Sequence, residues 1–79
     1  MKQIYESEYQ QIGLKIAYYR KLRGLTQEQL AEKTDKTPAF IGHVEAPNIN
    51  KAISLDTLFD IARALEISPY KLLIFENDI

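Results

Sequence analysis

The chain of 79 residues has no cysteine and only one histidine, three glycines and three prolines. Without cysteine, neither a disulfide framework nor a thiolate metal site can form. The sequence also offers no nucleophile–base pair and no glycine-rich phosphate loop, and Glu28 and Glu32 are helical neighbours on a solvated face. We therefore expect no enzyme, no metal site and no cofactor.

Long hydrophobic runs are missing too. No run of aliphatic and aromatic residues exceeds the length of Leu72 to Phe75, which is far too short to cross a bilayer. No long apolar stretch follows Met1 and Lys2, so we expect no secretory signal, no membrane partner and a cytoplasmic protein. The length predicts one small domain over residues 1–79, without a deep substrate cavity.

Charge is nearly balanced overall, at −1, but it is unevenly distributed along the chain. Residues 15–51 carry seven Lys and Arg against four Asp and Glu, a net +3. Residues 52–79 carry two against five, a net −3. A basic middle is compatible with nucleic-acid binding, although chance alone often produces such an imbalance in a small domain.

The spacing of apolar side chains predicts five helices and no strand, with helices over residues 7–23, 27–34, 38–45, 55–65 and 69–75. In the first helix, steps of four and three residues place on one face Tyr5, Tyr9, Ile12, Ile16 and Tyr19. In the fourth helix, the side chains expected to face inward are Leu55, Leu58, Phe59, Ala62 and Leu65.

Helix ends are marked by capping residues. Ser7 with Gln10, and Thr26 with Gln29, have the spacing of a capping box. Gly24 is expected to end the first helix, and Asp35 to occupy the left-handed region in the next turn. Further N-caps are predicted at Thr37, where Pro38 suits the first helical position, and at Ser54 and Ser68.

The segments "LTQEQLAEKTDKTPAFIGHVE" and "SLDTLFDIARALEISPYKLL" resemble the lambda-repressor-like helix-turn-helix family, in its Cro/XRE branch. The resemblance covers about residues 12–73, with the motif at about 26–46. It implies an all-α, five-helix DNA-binding domain. Ala31 is small where two helices cross, and Ile41 and Val44 anchor the third helix to the core. Held from behind, that helix can enter the major groove as a rigid unit.

The resemblance implies base contacts for Thr37, Pro38, Ala39 and His43, among which only His43 is a good hydrogen-bonding reader. The alternative for His43 is an exposed side chain without a partner. Phe40 is either a partly exposed core residue or a contact to the sugar–phosphate wall. Phosphate contacts, each of which could instead be an ordinary surface or turn residue, are expected from Gln27, Lys36, Thr37, Asn48, Asn50 and Lys51.

The resemblance also implies a structural ion pair between Arg20 and Glu45, which would link the first helix to the end of the third. The chain departs from the family at the turn, where Asp35 replaces glycine and Lys36 replaces an apolar residue. Gly42 lies inside the third helix at a cost of about 1 kcal/mol relative to Ala. It indicates close approach to a backbone or, as we favour, simple tolerance.

Because the third helix has so few residues that could read bases, we expect one subunit to recognise a DNA sequence only weakly. We therefore expect a homodimer on a two-fold symmetric operator, with half-sites about 10 base pairs apart. The predicted dimer interface consists of Tyr70, Leu73, Ile74 and Phe75. These residues could instead close the domain's own core, and the tyrosine-rich first helix is a second candidate surface.

The favoured function is sequence-specific binding of double-stranded DNA by a small transcriptional regulator, expected to be a repressor. The alternative is a protein-interaction module, antitoxin-like or a scaffold, that uses the acidic C-terminal helices. Salt-dependent duplex binding distinguishes the two, because only the first requires contacts to phosphates.

Overall fold

A computed structural model, which describes residues 4–49 and 51–75, contains four α-helices and one short 3₁₀ turn and no strand in those ranges. The helices are α1 (Glu6–Leu22), α2 (Gln27–Thr34), α3 (Pro38–Glu45) and α4 (Leu55–Leu65). Each bound lies within one residue of its prediction. The fold is therefore all-helical, as predicted.

The predicted fifth helix over residues 69–75 was wrong. Only Pro69–Leu72 is helical, and it forms a 3₁₀ turn. The amides of Lys71 and Leu73 donate to carbonyls three residues earlier, those of Ser68 and Tyr70. The segment is too short for the four-residue spacing to propagate, since helix nucleation is costly and propagation gains one bond per residue.

Three of the predicted N-caps form local hydrogen bonds. Thr26 Oγ1 accepts from the amide of Gln29 at 3.0 Å, and Gln29 Oε1 accepts from the amide of Thr26 at 2.8 Å, which completes the capping box. The hydroxyls of Thr37 and Ser54 accept from the third amide of α3 and α4. These contacts satisfy backbone donors that a helix start leaves unpaired.

The capping box predicted for Ser7 and Gln10 was wrong. Because α1 begins at Glu6, Ser7 already lies inside the first turn, and Tyr5 precedes the helix without a side-chain cap. The Ser7 hydroxyl instead accepts from Gln11 Nε2 at 3.3 Å. Because the helix starts one residue earlier than predicted, Ser7 bonds a side chain one helical turn later and does not cap the helix.

A tight turn joins α2 to α3. Asp35 has φ 57° and ψ 40°, the predicted left-handed conformation, and the amide of Lys36 donates to Ala31 O at 2.9 Å. Asp tolerates this region better than most residues do. The turn lets α2 and α3 pack against each other, and Ala31, near the end of α2, is 1% exposed in the core.

One hydrophobic core joins all four helices and the 3₁₀ turn. Its largest fully buried side chains are Ile16, Leu30, Ile41, Leu58, Ile61, Leu65 and Leu72. The inward placement of Leu55 and Phe59 was wrong, because these side chains are 62% and 49% exposed. Leu55 is the first residue of α4, and Phe59 lies off the buried stripe of α4, which includes the unpredicted Ile61.

Candidate nucleic-acid interface

Helix α3 is held to the protein along one side, the inner face, which consists of Ile41, Val44 and Glu45. Ile41 and Val44 are 0% and 4% exposed and belong to the core. The end of α3 also touches the backbone of α1, since a Cβ atom at Gly13 would overlap the carbonyl oxygen of Val44. The sequence prediction missed this contact, although a glycine inside a helical segment was the available signal.

Glu45 joins α1, α2 and α3 through hydrogen bonds. Arg20 donates from Nε to Glu45 Oε2 at 2.7 Å and from Nη2 to Oε1 at 2.9 Å, a two-pronged geometry. Arg20 Nη1 donates to Leu25 O at 2.7 Å, and Gln27 Nε2 donates to Glu45 Oε1 at 3.0 Å. Arg20 and Glu45 are each 8% exposed, so the ion pair expected from the family is a buried structural contact.

Hydrogen bonding to Glu45 is the main reason that the pKa of Arg20 is raised above its ordinary value, with a smaller Coulombic contribution from the same carboxylate; desolvation opposes both. A group whose pKa is raised by folding contributes stability that is present below its unfolded pKa and lost only as pH rises through the folded value. The guanidinium therefore remains charged throughout the neutral range.

The opposite side of α3, the outer face, consists of Thr37, Pro38, Ala39 and His43. All four are exposed, so none of the predicted base readers is turned into the interior. Thr37 also caps α3, with its Oγ1 accepting from the amide of Phe40 at 3.0 Å. The outer face is thus a rigid and mostly small-side-chain surface with His43 as its one imidazole.

The predicted phosphate-binding residues have different environments. Thr37, Asn48 and Lys51 are exposed, whereas Gln27 and Lys36 are half-buried. One N–H of the Gln27 side-chain amide donates to Glu45. A side-chain amide has two N–H donors, so this bond leaves the second one for another acceptor. Asn50 lies outside the described residues.

Lys36 and Lys51 meet at Phe40, although fifteen positions separate them in the chain. The Nζ atoms of Lys36 and Lys51 lie 5.9 Å and 5.5 Å from the centroid of the Phe40 ring. Phe40 itself is half-buried and packs against the core. The sequence prediction assigned both lysines to phosphate contacts but did not foresee that one ring would bring them together.

Arg23, counted in the basic middle of the sequence, has a structural contact. Its Nε donates to Leu65 O at 2.7 Å and its Nη2 to Glu66 O at 3.1 Å. These carbonyls lie at the end of α4, where a helix leaves acceptors unpaired and favours a cation. Part of the positive charge in residues 15–51 therefore stabilises a helix end.

A second exposed surface, the C-terminal apolar face, consists of Tyr70, Leu73, Ile74 and Phe75. Tyr70, Leu73 and Ile74 are 60%, 41% and 52% exposed, and Phe75 is half-buried against the core. Leu73 and Phe75 border a shallow apolar groove that is also lined by Tyr5, Tyr9, Ile53 and Leu55. Of this end of the chain, Leu72 and Phe75 close the core, while three predicted interface residues remain uncovered.

Residues 4–49 and 51–75 include no helix with the length and hydropathy of a membrane span. Within the same ranges, no three histidine, aspartate or glutamate side chains are grouped as they would be to ligate a metal.

Comparison with known proteins gives a family and a named relative. The family HTH_3, described as helix-turn-helix, matches residues 16–72. The control protein C.SmaI of Serratia marcescens is 44% identical over 55 residues. The match covers 70% of this chain and 63% of C.SmaI, so the chain spans less than two thirds of that relative.

Solved structures share the arrangement of helices. The restriction-modification controller protein C.AhdI from Aeromonas hydrophila superposes with a TM-score of 0.80 at 27% identity, covering 89% of this chain and 99% of C.AhdI. The biofilm regulator SinR, crystallised in complex with DNA, gives a TM-score of 0.73 at 30% identity and covers 80% of this chain and 98% of SinR.

Proposed function

Because the chain belongs to the helix-turn-helix family HTH_3, we propose that it binds double-stranded DNA as a small transcriptional regulator, with α3 in the major groove. One observation carries the proposal: α3 is anchored along its inner face, while its outer face is exposed. Because its inner face is anchored, α3 can dock without refolding, and little conformational entropy is lost when DNA binds. The similarity to C.AhdI, a restriction-modification controller, and to SinR, a regulator crystallised with DNA, supports the same role.

Base reading would depend on a small set of contacts. His43 donates a hydrogen bond to guanine O6 or N7, while Pro38 and Ala39 contact apolar groups such as a thymine methyl. At the start of α3, Pro38 has no N–H and the Phe40 amide is bonded to Thr37, so the Ala39 amide and the Thr37 hydroxyl would meet a phosphate. Phosphate contacts would supply most of the affinity, and DNA shape part of the specificity.

Weak readout by one α3 makes a homodimer the expected binding unit. The C-terminal apolar face is its proposed interface, because it exposes three large apolar side chains next to the apolar groove. Two α3 helices would then read half-sites about 10 base pairs apart. An operator that overlaps a promoter would exclude polymerase, so repression is the expected output.

Selection from a random duplex library at one fixed, moderate salt concentration tests the function. Enrichment of a two-fold symmetric motif is expected. Failure to enrich any motif, together with no salt dependence of duplex binding, would favour a protein-interaction module instead.

The interface is tested separately by sedimentation of two variants. Leu73→Lys places a charge on the C-terminal apolar face and should give a monomer, because a buried unpaired charge is costly at an interface. Leu14→Lys is the matched control, since Leu14 is 53% exposed on α1, the second candidate surface. Dissociation by Leu14→Lys alone would assign the interface to α1.

A further inference from the structure

Three side chains from separate segments meet beside α3. Lys36 precedes α3, Phe40 lies in its first turn, and Lys51 belongs to the loop before α4. Both ammonium groups lie within about 6 Å of one ring centroid, the distance at which the face of an aromatic ring attracts a cation. We call these three residues the lysine clamp.

The ring of Phe40 is fixed by the protein. The ring packs against the core, and the backbone amide of Phe40 donates to Thr37 Oγ1. The Lys36 side chain is half-buried as well. Burial restricts Lys36, and contact with the fixed ring restricts the exposed Lys51, before any ligand is present, which lowers the entropy lost on binding.

The clamp has two positive charges and no described negative partner. Within residues 4–49 and 51–75, neither lysine forms an ion pair, and Glu45, the one carboxylate of α3, is bonded to Arg20 and Gln27. Two like charges that converge on one ring repel each other. An anion that contacts both ammonium groups offsets that repulsion and gains attraction from both.

We propose that Phe40 is a positioning residue that holds Lys36 and Lys51 as one clamp on the sugar–phosphate backbone of a duplex, at the border of the groove that α3 enters. The inference rests on the proposed function. Phe40 is adjacent to Ala39 and one turn from His43, so a backbone held by the clamp would lie next to the bases that the outer face reads. The ring thus couples two phosphate contacts that would otherwise be independent.

The test measures duplex affinity against salt for a labelled random-sequence duplex, from about 50 to 200 mM KCl. Each lost phosphate contact lowers the slope of log K against log salt by about 0.9, so Lys36→Met with Lys51→Met should lower it by about 1.8. Phe40→Leu removes no charge, yet it should also lower the slope and weaken binding about 3- to 10-fold. Phe40→Tyr keeps the ring and should keep both values.

Two comparisons make the test specific. In the background without both lysines, Phe40→Leu should have no further effect on the slope. Lys71→Met is the charge control, because Lys71 lies in the 3₁₀ turn, which packs on α1 and α4. It should leave the slope unchanged.

A measurement without DNA tests the clamp directly. In the free protein, the ε-methylene protons of Lys36 and Lys51 should show ring-current shifts in NMR spectra, and Phe40→Leu should abolish them. Phe40→Met replaces that variant if melting curves show that Phe40→Leu does not fold. Ordinary lysine shifts in the wild type would overturn the clamp without any variant.

The failures are distinguishable. If the wild type shows no salt-dependent duplex binding, the proposed function fails. If the wild type binds but the effects of Phe40→Leu and the lysine variants simply add, the clamp fails and the proposed function stands.

Discussion

The inner and outer faces of α3 differ in how much of the protein touches them. Ile41, Val44 and Glu45 on the inner face are 0%, 4% and 8% exposed, and they contact the core, α1 and the side chain of Gln27. The four residues of the outer face are all exposed. One helix of eight residues therefore separates two tasks, since its stability depends on one face and its proposed DNA contacts depend on the other.

The largest effect should come from breaking the inner face at its ion pair. Arg20→Ala leaves the buried Glu45 carboxylate without its main partner, which should lower the free energy of unfolding by about 3–5 kcal/mol. Denaturation by urea measures the loss. Duplex binding should fall only as the folded fraction falls.

Lys21→Ala is the matched control for that variant, because Lys21 is the exposed neighbour of Arg20 in α1. It should change stability by less than about 0.5 kcal/mol. Since the pKa of Arg20 is raised, the difference between wild type and Arg20→Ala should stay constant from about pH 7 to 10. An unchanged urea midpoint for Arg20→Ala would contradict the structural role of the pair.

A second disruption of the inner face uses the backbone contact between α1 and α3. The added methyl group of Gly13→Ala would overlap the Val44 carbonyl, and backbone cannot rotate away as a flexible side chain can. Overpacking of this kind should cost about 1–3 kcal/mol, measured as a lower urea midpoint. Wild-type stability for this variant would show that α1 and α3 do not approach so closely.

Substitutions on the outer face should change DNA affinity and leave stability unchanged. His43→Ala should leave the urea midpoint unchanged, because the side chain is exposed, and lower the affinity for the selected operator by about 1–3 kcal/mol. Affinity for a random duplex should change little. If the loss were equal on both duplexes, His43 would be a phosphate contact and not a base reader.

The smallest effect should come from the position between the two faces. A Cβ atom at Gly42 would meet Gln27 Oε1 at 3.6 Å, an ordinary contact, which supports tolerance and not close backbone approach at this glycine. Gly42→Ala should therefore stabilise the protein by up to about 1 kcal/mol, through helix propensity. Thermal unfolding measures the gain in stability. Lower stability of Gly42→Ala would mean that α3 lies closer to α2 than the 3.6 Å contact indicates.

Local chemistry allowed much of the fold to be predicted. The starts of α2, α3 and α4 depend on Thr26, Thr37 and Ser54, whose hydroxyls bond amides three residues away, so a short stretch of sequence contains both partners. The same reasoning failed at Ser68, whose side chain forms no capping hydrogen bond, and Pro69 starts only a 3₁₀ turn that does not lengthen into an α-helix.

Contacts between distant segments limited the prediction of the site. The exposure of Thr37 and His43 followed from periodicity, whereas the meeting of Lys51 with Phe40 depends on the path of the loop before α4. Arg23 shows the same limit, since its role at the end of α4 follows from a contact 42 positions away. Counting charges along the chain could not separate such a residue from a DNA contact.

The bonds made by Glu45 restrict what can be moved to another protein. A peptide of residues 26–46 would include Glu45 and Gln27 but would omit Arg20 and the Leu25 carbonyl to which Arg20 also donates. We therefore expect that this peptide cannot be transferred to another protein unchanged, because the Glu45 carboxylate would lack its partner Arg20. Changing operator preference by exchanging only Thr37, Pro38, Ala39 and His43 would leave every one of those bonds in place.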